Sequence, residues 1–260
     1  MGVAMTWLSS GSLIVVFASS IPIFAAILMP MAGSTGKGQN NYDPIANYYD
    51  RLSRLVFGRT EIRAQVEMLG HMQAASRVLV VGGGTGWILE EFAAIYPDGL
   101  HITYVEPSGR MMALAKKRDW RHNTVLFVQL PVEQFVTDDR YDCILTGFVF
   151  DNFCPELMKT VIGLLDPMLK YNGYWLFADF YCPSKKGRLW QRVMLGSMYL
   201  SARLICRVQA SKLTDTEPLF AQVGYKQVWA SFYYGRFIKS VVYQKCGPAT
   251  GSAVTPAAPR

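Results

Sequence analysis

The first 36 residues contain no charged side chain, and Lys37 is the first charged residue of the chain. Residue types that bind metals or form disulfides are also scarce. Five cysteines are scattered without a CxxC pair, and there are only three histidines. These scarcities argue against a structural zinc site and a disulfide framework, and they favour a reducing compartment. No compact run of lysine and arginine accompanies the net charge of +7, so this charge favours an anionic membrane surface over nucleic acid.

The uncharged N-terminal segment is long enough to cross a membrane. Trp7 to Met29 is a stretch of 23 residues without a charge, and about 20 apolar residues suffice for a transmembrane helix. No basic residue precedes the stretch, which disfavours a cleaved signal peptide. Basic residues follow it from Lys37 onward, so the positive-inside rule places the rest of the chain in the cytoplasm. We therefore expect residues 1–36 to anchor the protein to the inner face of the cytoplasmic membrane. A start at Met31 is the alternative, and it would remove the anchor.

The pattern of a globular domain extends over residues 37–246, and the Pro/Gly-rich tail at 247–260 is expected to be disordered. Apolar runs alternate here with segments of helical length. The predicted strands are Arg77–Val81, Ile102–Glu106, Val125–Gln129, Asp142–Thr146 and Tyr174–Asp179. The predicted helices are Trp87–Tyr96, Ser108–Arg118, Val132–Phe135 and Pro155–Lys170, with Ser108 as an N-cap and Gly173 at a helix C-terminus.

Continuous strands of Val, Ile and Leu separated by helices predict an α/β fold, with a mostly parallel, doubly wound sheet covered on both faces. Ligands of such sheets bind beyond the carboxyl ends of the strands. The chain ends differently, with strand-like runs at Tyr225–Tyr233 and Phe237–Lys245 around Gly235. These two runs predict either a simple edge hairpin or a reversed strand appended to the parallel sheet.

A glycine-dense turn follows the first predicted strand in the sequence VLVVGGGTGWILEEF. A strand, a glycine turn and a helix form a site for a nucleoside or an anionic ligand, because the turn admits the ligand to the backbone. Gly82, Gly84 and Gly86 read G-x-G-x-G, and the third glycine of the dinucleotide pattern would fall on Trp87, which disfavours NAD. No Lys-Ser/Thr pair follows at the P-loop spacing, which disfavours nucleoside triphosphates.

Glu106 stands twenty residues after Gly86, at the end of the next predicted strand. A carboxylate at this position can accept hydrogen bonds from both ribose hydroxyls of an adenosine. The alternative role is that of an acid capping the helix that follows Ser108.

Taken in order, these motifs resemble the class I S-adenosylmethionine-dependent methyltransferases. The resemblance extends from Tyr42 to Lys245. VLVVGGGTG is similar to the first motif of that family, YVEPS to its second, and YDCILTGFVFDNF to its fourth-strand region. The terminal LFAQVGYKQVWASFYYGRFIKSVVYQK is similar to the reversed hairpin, which implies a Rossmann-like seven-stranded sheet. The leader YDPIANYYDRLSRLVFG is similar to the segment before the core of quinone-type and related small-molecule methyltransferases.

The resemblance implies S-adenosylmethionine as the cofactor and no metal. The residues that it implies for cofactor binding are Gly82, Gly84, Gly86, Glu106, Leu130, Val132, Thr146 and Tyr49. Two acids common in the family are absent, since this chain has Val80 before the glycines and Pro131 after the third strand. The adenine would then be held mainly by apolar walls and backbone groups.

Catalysis of methyl transfer needs mainly positioning and desolvation, because the leaving thioether requires no protonation. A base is needed only when the acceptor must lose a proton. Asp151 is the best-placed candidate, with His122 and Tyr233 behind it, although Asp151 can equally be a helix cap. The sequence therefore assigns no catalytic residue. An aminopropyltransferase, or a non-catalytic S-adenosylmethionine-binding protein at the membrane, are the alternative functions.

The segment between the fifth strand and the terminal hairpin is longer than a simple crossover needs. Within it, an apolar stripe falls near one face of a helix, formed by Leu189, Val193, Leu200 and Leu204, with Trp190, Met194 and Met198 beside it. This helix is either an ordinary core-packing element or a lid over an apolar acceptor pocket near the membrane surface. We expect a hydrophobic small-molecule acceptor rather than nucleic acid.

Overall fold

The computed structural model describes residues 42–182, 189–206 and 213–247. The predicted anchor at 1–36 and the tail beyond Gly247 lie outside these residues. Within the described residues, no helix has both the length and the apolar character that crossing a bilayer would require.

Seven helices and seven strands make up the described part of the chain, together with short 3-10 turns. The helices are α1 Ala46–Phe57, α2 Thr60–Leu69, α3 Trp87–Ile95, α4 Gly109–Ala115, α5 Pro155–Leu165, α6 Leu189–Cys206 and α7 Glu217–Gln222. The strands are β1 Arg77–Val81, β2 Asp98–Val105, β3 His122–Val128, β4 Tyr141–Gly147, β5 Leu169–Phe180, β6 Tyr225–Tyr233 and β7 Ile238–Lys245.

These strands form one sheet in the order β3-β2-β1-β4-β5-β7-β6. Neighbouring strands are parallel from β3 to β5, whereas β7 runs antiparallel to both β5 and β6. The predicted doubly wound sheet with a reversed C-terminal strand is therefore confirmed. The strand order reverses direction between β1 and β4, so the carboxyl ends of these two strands mark the topological switch point, where such sheets bind their ligands.

The sheet is buried on both faces. In β1, Leu79 and Val81 pack into a hydrophobic cluster on one face, and Val78 and Val80 pack into a second cluster on the other. Each of these four side chains is at most 2% exposed. A strand covered on both sides has no solvent-facing positions, which explains why β1 is a continuous apolar run rather than an alternating one.

Helix α5 ends earlier than predicted. Its last residue is Leu165, and a 3-10 turn over Asp166–Met168 leads directly into β5. Pro167 lies in that turn, and a proline cannot continue a helix because it lacks the backbone N–H donor.

Gly173 lies inside β5, so its predicted place at a helix C-terminus is wrong. The pairing of β5 with β4 moves from Leu169 to Tyr174 while β4 advances by only two residues, which produces a bulge. Asn172 in the bulge has a positive φ of 62°. A Cβ atom on Gly173 would lie 2.9 Å from the carbonyl oxygen of Asp142. The glycine is therefore required for the close approach of two backbones.

An N-terminal strap, residues 43–57, covers the carboxyl edge of the sheet, and its acidic residues Asp43 and Asp50 make polar contacts that help to hold it there. The Asp43 carboxylate accepts a hydrogen bond from the hydroxyl of Ser108, the residue that also caps α4 as predicted. The Asp50 carboxylate accepts from the Thr85 hydroxyl at 2.6 Å and pairs with the Arg118 guanidinium at 2.7 Å. The strap is thus tied to the glycine turn and to the end of α4.

The predicted apolar stripe on α6 faces solvent. Leu189, Val193 and Leu200 are 76%, 49% and 61% exposed, and the side chain of Leu204 lies outside the described residues. The packed face is formed by a neighbouring stripe, Trp190, Met194 and Met198, whose first two members directly follow Leu189 and Val193. A shift of one residue turns a helix by about 100°, so the chain carries two apolar stripes side by side and only one of them meets the domain.

Candidate active site

The glycine turn after β1 has three residues with positive φ: Gly82 at 65°, Gly84 at 62° and Gly86 at 80°. Its geometry is fixed from both sides, because the Gly82 amide donates to the Val105 carbonyl at 2.8 Å and the Tyr104 hydroxyl donates to the Gly84 carbonyl at 2.9 Å. The turn follows β1 in the chain, and these two hydrogen bonds attach it to the end of β2.

The glycines of this turn serve two purposes. A Cβ atom at Gly83 would come within 2.3 Å of the Tyr104 ring, and one at Gly86 within 2.6 Å of the Ala115 Cα atom. These two glycines are needed for packing. A Cβ atom at Gly84 would meet no protein atom within 4 Å, so the space beside Gly84 is available to a ligand.

Glu106 follows β2 directly, and its carboxylate is tied to this turn. One carboxylate oxygen accepts from the Gly84 amide at 3.1 Å and the other from the Ser108 amide at 2.9 Å. The side chain is only 6% exposed. Burial raises the pKa of the Glu106 carboxyl, and the two amide hydrogen bonds oppose that shift. Each oxygen keeps a lone pair, so the group can accept further hydrogen bonds from a pair of hydroxyls.

A cavity of about 340 Å³ lies along the carboxyl edge of the sheet, between the sheet and the N-terminal strap. We call its two ends the β2 end and the β5 end, after the strands beside them. The β2 end is lined by the turn residues 82–85 and by Glu106, Pro107, Pro131 and Val132. The β5 end is lined largely by apolar and aromatic side chains: Phe57, Phe148, Phe153, Phe180, Leu195, Met198 and Tyr199. Helix α6 thus borders the cavity through the face opposite to its exposed stripe.

The structure brings five of the eight residues proposed for cofactor binding to the cavity wall: Gly82, Gly84, Glu106, Val132 and Tyr49. Gly86, which precedes α3, is not among the lining residues, because it packs against Ala115 at the end of α4. Leu130 is also not among them and is 38% exposed. Thr146 lies in the core, where its hydroxyl accepts from the Trp175 indole at 3.0 Å.

Three carboxyl groups gather around the β5 end. Asp151 and Glu61 line the cavity, and Asp179 lies behind Asp151 at the end of β5. The Asp151 amide donates to the Asp179 carboxylate at 3.1 Å, and the Asp151 carboxylate accepts from the Asn152 side chain at 2.8 Å. The Ser53 hydroxyl donates to Glu61. Among the residues that the structure describes, no lysine or arginine forms an ion pair with any of the three carboxyl groups.

The electrostatics of this carboxyl cluster favour protonation. Burial is the largest cause in each case, and it raises the pKa of Glu61 to about 7 and that of Asp151 well above the ordinary range for aspartate. The nearby charge of Asp151 raises the pKa of Asp179 further. Unpaired carboxylates are costly to bury, so a protonated or a cation-paired state is preferred here.

The other two candidate bases lie elsewhere. His122 begins β3 at the amino edge of the sheet, opposite the cavity. The Tyr233 hydroxyl donates to Glu67 at 2.5 Å and does not line the cavity. Sequence reasoning missed Glu61 and Asp179. Asp179 had a signal, because it ends a predicted strand, whereas Glu61 approaches the site only through the packing of α2 against β5 and β7.

The chain matches a known family over part of this domain. Residues 79–175 match the family model described as a methyltransferase domain. The sheet order, the glycine turn and the carboxylate after β2 agree with this match, so over residues 79–175 the chain is similar to a methyltransferase domain.

Among its relatives, the chain is similar to the malonyl-[acyl-carrier protein] O-methyltransferase of Bacillus cytotoxicus. The two are 32% identical over 141 residues, which cover 54% of this chain and 46% of the relative. The chain thus spans about half the length of the relatives that it matches.

Solved structures share the fold. One is the 1,6-didemethyltoxoflavin-N1-methyltransferase of Burkholderia thailandensis with S-adenosylhomocysteine, with a TM-score of 0.56, 14% identity and 94% coverage of both chains. Another is human N-acetylserotonin methyltransferase with S-adenosylmethionine, with a TM-score of 0.59, 14% identity, and coverage of 89% of this chain and 67% of that one. At such low identity these likenesses establish the fold alone.

Proposed function

We propose that this protein transfers the methyl group of S-adenosylmethionine to a small, largely apolar acceptor bound in the cavity described above. The observation that carries the proposal is the continuity of this cavity. At one end are the ligand space beside Gly84 and the carboxylate of Glu106, and at the other is a pocket with aromatic walls. One cavity can therefore hold a nucleoside cofactor and a small acceptor side by side.

The residues at the β2 end fit the cofactor. Glu106 has free lone pairs for a ribose diol, and Val132 and Pro131 supply apolar walls beside it for an adenine. When bound, S-adenosylmethionine supplies a methyl group on a positively charged sulfur, which leaves as a neutral thioether. The N-terminal strap closes over this end through Tyr49 and Leu52, and it excludes water from the reacting atoms.

A labelled-methyl transfer assay tests the activity. We expect the full-length protein to transfer label from S-adenosylmethionine to the small-molecule fraction of a cell extract, and not to its nucleic acid fraction. The Glu106→Ala variant is the control for enzyme-dependent transfer. Binding of S-adenosylmethionine with no transfer to any fraction would favour the non-catalytic alternative. Transfer from decarboxylated S-adenosylmethionine in place of the parent compound would favour an aminopropyltransferase.

We also propose that residues 1–36 hold this domain at the inner face of the cytoplasmic membrane. The support is the stretch of 23 uncharged residues and the basic residues that follow it. We expect the native protein to remain in the membrane pellet after extraction with alkaline carbonate, and a variant that begins at Met31 to be released. N-terminal sequencing identifies the first residue of the native protein. If that residue precedes Trp7 and carbonate nevertheless releases the protein from the membrane, the anchor is contradicted.

A further inference from the structure

The β5 end of the cavity combines two features that seldom occur together in an apolar pocket. Its walls carry aromatic side chains, including Phe57, Phe148 and Phe180, and two carboxyl groups, Glu61 and Asp151, also line it. These two groups come from different elements, since Glu61 lies in the first turn of α2 and Asp151 in the 3-10 turn after β4. The cavity wall therefore carries two carboxyl groups from separate elements, and each bears a negative charge when it is ionised.

Nothing in the described part of the chain compensates this charge. The donors to Glu61 and Asp151 are neutral, namely the Ser53 hydroxyl and the Asn152 amide. Behind them lies a third carboxyl group, Asp179, which is only 4% exposed. Like charges close together in a water-poor site repel, and a cation bound between them relieves that repulsion. Aromatic faces attract cations as well.

We infer that the methyl acceptor is an amine, whose nitrogen is held at the β5 end between Glu61 and Asp151. This inference rests on the proposed methyl transfer and specifies its substrate class. An ammonium group neutralises the carboxylates, whereas a neutral hydroxyl would compensate neither of them. A carboxylate acceptor would be repelled. The Bacillus relative is named for O-methylation of a malonyl group, and the charge of this pocket does not suit such an anionic acceptor.

The reaction balances with the residues present. The ammonium group of the acceptor first gives a proton to the Asp151 carboxylate, which leaves a nitrogen lone pair facing the sulfonium methyl group. The N–C bond then forms as the C–S bond breaks, and the electron pair of that bond remains on the neutral thioether sulfur. Positive charge thereby moves from sulfur to nitrogen, and a carboxylate beside the nitrogen stabilises that charge in the transition state.

The raised pKa values suit this role. Burial raises the pKa of the Asp151 carboxyl, so the group can hold the proton that the amine releases at neutral pH. Glu61, at the other side, remains available to pair with the methylated ammonium product.

The test uses three probes of one shape: phenethylamine, 2-phenylethanol and phenylacetic acid. Their binding to the full-length protein saturated with S-adenosylhomocysteine is measured by calorimetry, and methyl transfer is followed with labelled S-adenosylmethionine. We expect the amine to bind at least about tenfold more tightly than the alcohol, and to be the one probe that is methylated. Equal binding of the three probes, or methylation of the alcohol or the acid, would overturn the inference.

Two isosteric variants locate the effect. Asp151→Asn and Glu61→Gln are each expected to weaken amine binding about tenfold or more, with alcohol binding unchanged. The control Glu156→Gln removes an exposed carboxylate in the first turn of α5, outside the cavity, and should change neither. Unchanged melting temperatures exclude a folding defect.

S-adenosylmethionine carries an ammonium group of its own, which could also bind Glu61 and Asp151. Measuring the affinity of each variant for S-adenosylhomocysteine distinguishes the ammonium group of the cofactor from that of the acceptor. We expect both variants to bind S-adenosylhomocysteine as tightly as the wild type. A parallel loss of cofactor affinity would assign the carboxyl groups to the cofactor and refute the amine acceptor, while leaving the proposed methyl transfer intact. If the proposed methyl transfer itself is wrong, the wild-type protein will transfer no label to any probe or extract.

Discussion

Replacing Glu106 with alanine is expected to weaken the binding of S-adenosylhomocysteine by about 10²- to 10⁴-fold. The carboxylate can accept two hydrogen bonds from a ribose diol, and a hydrogen bond to a charged group contributes about 1.5–3 kcal/mol. The variant also releases the Gly84 and Ser108 amides, which Glu106 holds at 3.1 and 2.9 Å. Isothermal titration calorimetry at fixed salt concentration measures the change.

The Glu106→Gln variant refines this experiment. Glutamine keeps the shape of the side chain, but its NH₂ group is a donor and cannot accept from a backbone amide. One of the two backbone contacts is therefore lost, and an intermediate affinity is expected. Wild-type affinity in the alanine variant would contradict the ribose role and leave Glu106 as a capping acid of α4.

The Gly84→Val substitution is expected to abolish detectable cofactor binding. The Cβ atom would extend into space where no protein atom lies within 4 Å, so the side chain meets the ligand rather than the fold. The residue has a φ of 62°, which costs a non-glycine residue about 1–2 kcal/mol. Both the affinity for S-adenosylhomocysteine and the melting temperature are measured.

Gly224→Val provides the matched control. Gly224 lies before β6 with a φ of 83°, and a Cβ atom there also meets no protein atom within 4 Å. It is not among the residues that line the cavity. The two variants should lose similar stability, and only Gly84→Val should lose binding. Equal binding by the two variants would show that the space beside Gly84 does not receive the cofactor.

The sequence was sufficient for the sheet and for the β2 end of the cavity. β1 begins and ends at the predicted residues, because a buried apolar run bounded by turn residues leaves little freedom in its limits. β6 also has the predicted limits, although it is a partly exposed edge strand. The turn with Gly82 and Gly84 and the carboxylate of Glu106 also follow from local order, since a strand end, a turn and the next strand end come together in any parallel sheet.

The β5 end of the cavity could not be predicted in this way, because it is formed by contacts between residues that are distant in sequence. Glu61 lies close enough to sense the charge of Asp151 only because α2 packs across β5, and no spacing along the chain indicates that approach. Thr146 is the opposite case, a residue for which a ligand contact was expected and the structure shows another role. The family resemblance implied a ligand contact for Thr146, but its hydroxyl accepts a hydrogen bond from the indole of Trp175 in the neighbouring strand β5.

The N-terminal strap forms one wall of the cavity, so its attachment bears on how quickly a bound ligand leaves. Polar contacts at Asp43 and Asp50 hold the strap, together with buried side chains such as Leu52 and Phe57. Salt screens the Asp50–Arg118 pair and so weakens one of these contacts. We therefore expect the residence time of a bound cofactor to shorten as ionic strength rises.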